Sequence, residues 1–361
     1  MSGNTEMKES VPTAVPSKRL RNGLGLVAPS YATSSRWFIG ISFVIIAALF
    51  AVPFLSDSRS LFILLTQIFI LGIFAMSYDL LLGFTGIVSF GHAMFFGLGG
   101  YATGIFMNRF GATLPMLLLS VLVGMVLAAL LSYIVGMLSL RLKNHFYAML
   151  TLAFAGLLLV AAEKWRSLTK GSDGFTFSIP EPLKNRVTLY LISLAAMVLI
   201  FFLLRRFTGS PFGRVLQAIR ENEQRAESLG YRVVHYKVIA TVMAGIVASV
   251  SGSLYVLTLR FVNTTVFSMD MTLNALLMTI IGGVGTLFGA LIGAAVIEWA
   301  HHFLTGLASI HPIFERWIIF FGLLYIVVVL VFPSGIAGTG QKWLLSWRLR
   351  RLKADNGEET S

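Results

Sequence analysis

The sequence predicts an all-α polytopic membrane protein with about 8–10 transmembrane helices, some of them broken by glycines. Two observations support this fold class. Of the 361 residues, 56% are hydrophobic and only 12% are charged, whereas a soluble domain has about 25% charged residues. The apolar residues also come in long runs, and a run of about 18 residues is enough to span a bilayer as a helix.

The predicted spans follow one another along the chain with polar connections between them. The first two cover residues 37–55 and 61–82, and the glycine-rich residues 84–108 are counted as the third. The remaining spans cover residues 114–140, 145–162, 188–204, 237–259, 271–300 and 317–332. The glycines in residues 271–300 predict either a hairpin, which gives ten crossings, or a re-entrant segment, which gives eight.

The basic residues predict that both termini are cytoplasmic. The formal net charge is +12, and most Lys and Arg residues lie in the tails, at residues 141–143 and at residues 205–237. Basic loops favour the cytoplasmic side and meet anionic lipid there, so no nucleic-acid partner is expected. We expect a disordered cytoplasmic tail at residues 1–35, a transmembrane domain at residues 36–335 and a basic cytoplasmic tail at residues 336–361.

The third predicted span contains an unusual amount of glycine. Residues 83–104 read GFTGIVSFGHAMFFGLGGYATG and hold seven glycines. Unwound backbone at membrane depth is tolerated only where protein buries it or water lines it. Gly100 and Gly104 have the four-residue spacing that lets helices pack closely. We expect the His92 imidazole to form a hydrogen bond with an unwound carbonyl group.

A second glycine-rich segment lies within residues 271–300. The adjacent glycines at residues 282–283 would break a helix, and Gly285, Gly289 and Gly293 would then share one helical face. Two glycine-interrupted segments, one in each half of a chain, are typical of a transport path; tight helix packing is the alternative for any single glycine. The candidate path residues are Ser89, Gly91, His92, Gly97, Gly100, Gly282, Gly283 and Gly285.

Few ionisable residues lie within the predicted spans. Asp79 and Glu298 lie near span ends, where each is either paired or extended toward the interface, and no row of carboxylates indicates a proton relay. Glu298 and His302 share a helical face, but no further ligand makes a metal site. The sequence also lacks a G-x-x-x-x-G-K-[ST] motif, so no ATP hydrolysis is expected in this chain. We therefore predict no catalytic, cofactor-binding or metal-binding residue.

The polar residues 205–237 predict two short helical pieces outside the membrane. Pro211 suits a helix start and Gly230 a helix end. Apolar residues, among them Ala226 and Leu229, recur at helical spacing between them. A solvated helix of mixed charge is the simplest explanation of this pattern alone.

Four segments together resemble the branched-chain amino acid permease family of ABC importers, the LivM-like membrane subunit. They are GFTGIVSFGHAMFFGLGGYATG, SPFGRVLQAIRENEQRAESLGY, IIGGVGTLFGALIGA and LTKGSDGF. Lys170, in the last of them, stands where this family commonly has glycine. The resemblance covers about residues 60–335 and excludes the tails.

The resemblance implies an ABC importer permease fold in the bacterial inner membrane. The subunit would translocate leucine, isoleucine, valine or similar small solutes. Its partners would be a second, LivH-like permease subunit, two cytoplasmic ATP-binding subunits and an external solute-binding protein, with ATP bound only by the partners. Residues 205–237 would be the coupling loop, with ATPase contacts at Arg220, Glu221, Asn222, Glu223, Ala226, Leu229 and Gly230.

Three other functions remain open from the sequence. An importer permease for urea or short amides has the same motifs. A stand-alone secondary transporter or channel would work in liposomes without ATP. An intramembrane enzyme would lose catalysis on substitution of His92, Glu298 or His302.

Overall fold

The computed structural model describes most of the chain between residues 47 and 308. The described residues are 47–53, 55, 58–139, 144–308, 322, 325–326, 330, 332, 335–340 and 343. The predicted N-terminal tail, most of the predicted C-terminal tail and most of the predicted spans at residues 37–55 and 317–332 therefore lie outside the described residues. Residues 47–52 are helical and belong to a unit of their own.

Nearly all secondary structure in the described residues is helical. The helices are α1 Arg59–Thr85, α2 Ala93–Phe110, α3 Leu114–Ser139, α4 Asn144–Lys164, α5 Arg166–Thr169, α6 Glu181–Lys184, α7 Arg186–Gly209, α8 Pro211–Glu221, α9 Glu223–Ser228, α10 Val233–Leu259, α11 Met269–Gly282 and α12 Leu287–Ala308. Two 3-10 turns lie at Gly171–Asp173 and Thr264–Phe267. Two short strands, β1 Phe175–Thr176 and β2 Phe261–Val262, pair antiparallel.

Within the described part of the chain, six helices are long and apolar enough to cross a membrane. These spans are Arg59–Thr85, Leu114–Leu138, Phe146–Lys164, Arg186–Gly209, Val233–Leu259 and Leu287–Gly306. They confirm the predicted all-α polytopic membrane fold. Helix α11 is apolar but has only 14 residues, a length of about 21 Å, which is shorter than a hydrocarbon core of about 30 Å.

Helix α1 lies at the centre of the helical packing. It packs against α7, α10, α11 and α12, and α10 also packs against α2 and α3. Small hydroxyl side chains link these helices. The Ser251 hydroxyl donates to the Ile70 carbonyl oxygen at 2.6 Å, and the Thr279 hydroxyl donates to the Ala75 carbonyl oxygen at 3.2 Å. Interhelical hydrogen bonds of this kind hold membrane helices together where burial of apolar surface cannot.

Candidate functional site

The chain between α1 and α2 is unwound, as the glycines of this segment predict. Helix α1 ends at Thr85, and Gly86 has a φ of 73°, a left-handed conformation that glycine adopts without strain. Residues 86–92 are not helical. The Nε2 atom of His92 lies 2.8 Å from the Ser77 hydroxyl oxygen. Because Ser77 is about two turns before the end of α1, helix α2 begins about 12 Å inside that end.

His92 is fully buried against the aromatic side chains of α1. Its ring stacks on Phe74 with centroids 5.5 Å apart and meets Tyr78 edge-on at 5.4 Å. The expectation that His92 binds an unwound carbonyl is wrong, because its hydrogen-bond partner is the Ser77 hydroxyl. Within the described residues, His92 Nδ1 and Ser89 Oγ are buried without hydrogen-bond partners.

Close packing explains several glycines of the first segment. A Cβ atom at Gly91 would collide with the Thr151 backbone, and one at Gly97 with the Phe267 ring. At Gly100 it would lie 3.0 Å from Val256 Cγ1. All eight candidate path residues are buried within this chain, namely Ser89, Gly91, His92, Gly97, Gly100, Gly282, Gly283 and Gly285. Their assignment to the path stays a prediction.

The second glycine segment forms a helical hairpin, with α11 and α12 joined by the four residues 283–286, which we call the glycine turn. Gly283 and Gly285 adopt φ values of 120° and 83°, where a side chain would strain the backbone. The predicted helix break after Gly282 is therefore confirmed. The expectation that Gly285 shares a helical face with later glycines is wrong, because α12 begins only at Leu287.

Helices α11 and α12 pack through their glycines. A Cβ atom at Gly289 would lie 2.6 Å from the Gly282 carbonyl oxygen. A Cβ atom at Gly293 would collide with the Met278 carbonyl oxygen. Such separations leave no room for any side chain, so the two helices are fixed against each other by backbone contact.

Asp79 of α1 holds the glycine turn. The side chain is fully buried, and its Oδ1 atom accepts a 2.7 Å hydrogen bond from the Gly285 backbone N–H. Asp79 is thus bonded inside the protein and does not extend toward an interface. Neither Asp79 nor Thr272, whose hydroxyl accepts from the Ala93 N–H at 3.0 Å, was predicted as a site residue. No sequence pattern links partners 206 and 179 residues apart.

The two helical pieces predicted in residues 205–237 are α8 and α9, which together form the α8–α9 pair. Pro211 is the first residue of α8, whose start is capped by Ser210. The Asn222 side chain caps α9 by accepting from the Arg225 N–H at 2.9 Å. Gly230 follows α9 with a φ of 89°. Both the predicted start and the predicted end are confirmed.

Two polar contacts fix the α8–α9 pair to the membrane-spanning helices. The Arg220 guanidinium donates to the Gly83 carbonyl oxygen near the end of α1. The last carbonyls of a helix lack partners within it and carry partial negative charge, so a cation stabilises them. The Glu223 carboxylate lies 2.8 Å from Lys237 Nζ of α10 in an ion pair, in which the lysine side chain is only 6% exposed.

The same pair has one packed face and one exposed face. Ile219, Ala226 and Val233 form a small buried cluster. Leu229 is 72% exposed, and Glu221 is exposed as well. The apolar face predicted to continue through Leu229 therefore ends at Ala226.

Glu298 and His302, which share a helical face, lie in the second half of α12. His302 Nε2 lies 3.2 Å from the Ser60 hydroxyl oxygen, so the end of α12 is bonded to the start of α1. Among the residues that the structure describes, no three His, Cys, Asp or Glu side chains are grouped to hold a metal ion.

Lys170, in the LTKGSDGF segment, adopts a left-handed conformation with a φ of 62°. It follows α5 at a tight turn, and its N–H donates to the Arg166 carbonyl oxygen at 3.2 Å. A lysine is strained here, which explains why glycine suits this position.

The fold and the site define a multi-pass helical membrane protein in which a short helical pair is bonded to the long spans and two segments are broken by glycines, features that fit a permease subunit. The chain belongs to the family described as "Branched-chain amino acid transport system / permease component", whose model matches residues 60–330.

Named relatives agree with this family. The chain is 28% identical over 117 residues to the high-affinity branched-chain amino acid transport system permease protein LivM of Salmonella typhimurium, covering 32% of this chain and 28% of the relative. It is 25% identical over 157 residues to a probable branched-chain amino acid transport permease protein LivM of Methanocaldococcus jannaschii, covering 40% and 44%.

A relative with a different name matches at similar identity. The autoinducer 2 import system permease protein LsrC of Yersinia pseudotuberculosis is 27% identical over 174 residues, covering 42% of this chain and 47% of the relative. The chain spans less than half the length of each of these three relatives. No solved structure matches the chain.

Proposed function

We propose that this chain is the membrane-spanning subunit of an ABC importer that translocates leucine, isoleucine, valine or similar small solutes. Partner ATPase subunits would supply the energy. The observation that carries the proposal is the α8–α9 pair, which is bonded to α1 through Arg220 and to α10 through Glu223. A short helical pair fixed at two points transmits displacement to the spans as a rigid lever.

The seven proposed ATPase-contact residues divide into three groups. Asn222, Ala226 and Gly230 shape the pair, as a cap, a buried contact and a left-handed turn. Arg220 and Glu223 connect the pair to α1 and α10. This leaves exposed Glu221 and Leu229 as the side chains offered to an ATPase cleft.

The proposed orientation places the α8–α9 pair and both termini in the cytoplasm, with the protein in the bacterial inner membrane. A second permease subunit would complete the translocation path, and an external binding protein would deliver the solute. The eight candidate path residues carry no carboxylate and no basic group other than the His92 imidazole. Such a path suits a neutral or zwitterionic solute, because it contains no fixed charge to trap it.

Co-purification tests whether the chain is a subunit of an ABC importer. The tagged chain is isolated from its native membrane in mild detergent, and its partners are identified by mass spectrometry. We expect an ATP-binding subunit in the complex, and we expect deletion of residues 214–230 to remove it while the chain still inserts. Recovery of the intact chain with no nucleotide-binding partner would contradict the proposal.

Import of autoinducer 2 is the second candidate solute activity. The LsrC relative aligns over 42% of this chain, a larger share than the 32% matched by the Salmonella LivM relative. Uptake of labelled leucine by the reconstituted complex is therefore measured against excess unlabelled valine, urea or autoinducer 2. Competition by valine alone supports the branched-chain assignment. Absence of leucine uptake, together with uptake of labelled autoinducer 2 or urea by the same complex, would replace it.

A further inference from the structure

Two separate segments, the α8–α9 pair and the glycine turn, contact the end of α1 that carries Thr85. Arg220 from the α8–α9 pair donates to the Gly83 carbonyl oxygen. One turn earlier on α1, Asp79 accepts a 2.7 Å hydrogen bond from Gly285 of the glycine turn. The α8–α9 pair and the glycine turn are therefore bonded to α1 at positions only one helical turn apart, although they are distant in sequence.

The contact between α1 and the glycine turn is as close as backbone allows. A Cβ atom at Gly83 would lie 2.5 Å from the Gly285 nitrogen and 2.6 Å from its Cα. Gly83 thus touches the turn, and its carbonyl oxygen accepts a hydrogen bond from Arg220. At the contact between Gly83 and Gly285 no side chain separates the two backbones, so a displacement of this end of α1 passes directly to the turn.

The glycine turn is part of the closely packed α11–α12 hairpin. It joins α11 to α12, whose backbones are in direct contact at Gly282 and Gly289. The turn has no long polar side chain of its own, since its four residues are Gly283, Val284, Gly285 and Thr286. Thr286 donates to the Gly283 carbonyl within the turn at 2.6 Å. Ser60 and Thr279 link α1 to the two helices of the hairpin, whereas the Asp79 carboxylate of α1 bonds directly to the glycine turn.

We propose that Asp79 is a positioning residue that couples movement of the α8–α9 pair to the α11–α12 hairpin, through its hydrogen bond to the Gly285 N–H. The inference rests on the proposed function, in which nucleotide-driven partners move the α8–α9 pair. The packing of Gly83 against Gly285 can move the glycine turn only when α1 moves toward it. A hydrogen bond to an acceptor at position 79 also draws the turn along when α1 moves away from it. The hydrogen bond to Gly285 is the feature that makes the coupling work in both directions.

The maleimide labelling rate of a single introduced cysteine measures changes at the glycine turn. The chain contains no cysteine, so Val284→Cys places one reactive group in the glycine turn, where Val284 is half-buried. The full complex with its ATPase subunits is labelled with a maleimide, with and without a non-hydrolysable ATP analogue. Uptake per ATP hydrolysed is measured on the same preparations.

Four variants are compared in the Val284→Cys background. Asp79→Leu fills the same space without an acceptor, and Asp79→Ala replaces it if the leucine variant does not assemble. Asp79→Asn keeps an acceptor oxygen for the Gly285 N–H. Ser251→Ala is the matched control, because it removes a buried hydrogen bond to α1 of similar length at Ile70.

We expect the nucleotide analogue to change the labelling rate by about 3-fold or more with Asp79, with Asp79→Asn and with Ser251→Ala. Asp79→Leu should abolish this change and lower uptake per ATP hydrolysed while the ATPase subunits stay bound. A normal nucleotide response in Asp79→Leu, or its loss in Asp79→Asn, would overturn the coupling role. No nucleotide response with Asp79 present would instead overturn the proposed function and this inference together.

Discussion

At the residue scale, Arg220 links the α8–α9 pair to helix α1. Its partner is a backbone carbonyl 137 positions away, so no local sequence pattern reveals the contact. The sequence does predict Arg220 as a polar residue of a short helix, because Pro211 and Gly230 mark that region's start and end. What remained unpredictable is that its guanidinium is already engaged within the chain.

Loss of Arg220 should weaken both stability and transport. Arg220→Ala leaves the Gly83 carbonyl without its donor and should cost about 1–2 kcal/mol. Thermal unfolding of the detergent-solubilised protein measures the first effect, and solute uptake the second. Arg225→Ala is the control, because Arg225 is exposed on the same pair; equal losses in both variants would contradict a specific role for Arg220.

The ion pair of Glu223 predicts a rescue. Glu223→Arg places a second cation beside the nearly buried Lys237. The repulsion should detach the α8–α9 pair from α10 and abolish uptake, while the protein still inserts. Combining it with Lys237→Glu restores opposite charges and should recover part of the uptake. A double variant no better than Glu223→Arg would show that this pair is not what fixes α9.

Replacing Lys170 with glycine should increase the free energy of unfolding. Lys170→Gly relieves a left-handed lysine, offset by the greater freedom of glycine in the unfolded chain, for a net gain of up to about 1 kcal/mol. The rise in thermal unfolding temperature measures it. Ser172→Gly, two residues further on outside the left-handed region, should not stabilise; a fall in stability with Lys170→Gly would refute the strain.

At the scale of elements, hydropathy predicts the long spans well and the broken ones only in part. Residues 114–140 were predicted as a span, and α3 covers Leu114–Ser139. Apolar runs locate such helices because lipid demands continuous apolar surface. Helix α7 continues to Gly209, beyond the predicted span at residues 188–204. Hydropathy misses this end because a helix can continue through polar residues. The pairing of β1 with β2 depends on a distant strand and had no local signal.

The α11–α12 hairpin makes the sharpest prediction at this scale. Gly289→Leu would force apart backbones that are in contact at Gly282, so we expect loss of assembly and uptake. Gly156→Leu is the matched control within a span, because a Cβ atom at Gly156 meets nothing within 4 Å. Folded, active Gly289→Leu protein would mean that the hairpin does not depend on close approach.

At the scale of the whole molecule, the chain is a permease-family membrane protein whose central helix α1 contacts both the α8–α9 pair and the glycine turn. The sequence predicted the membrane class from composition and the family from four motifs. It could not predict that Asp79, Gly83, Arg220 and Gly285 converge, because that depends on how α1, α8 and the α11–α12 hairpin pack. In the proposed function, this convergence links movement of the α8–α9 pair to the α11–α12 hairpin.

The most direct test of the central claim is uptake into liposomes. The complete complex and the isolated chain are reconstituted in parallel, and labelled leucine is measured with ATP available to the α8–α9 side or with an imposed ion gradient. We predict concentrative uptake only by the complete complex and only with ATP. Uphill uptake by the isolated chain, driven by an ion gradient without nucleotide, would contradict it.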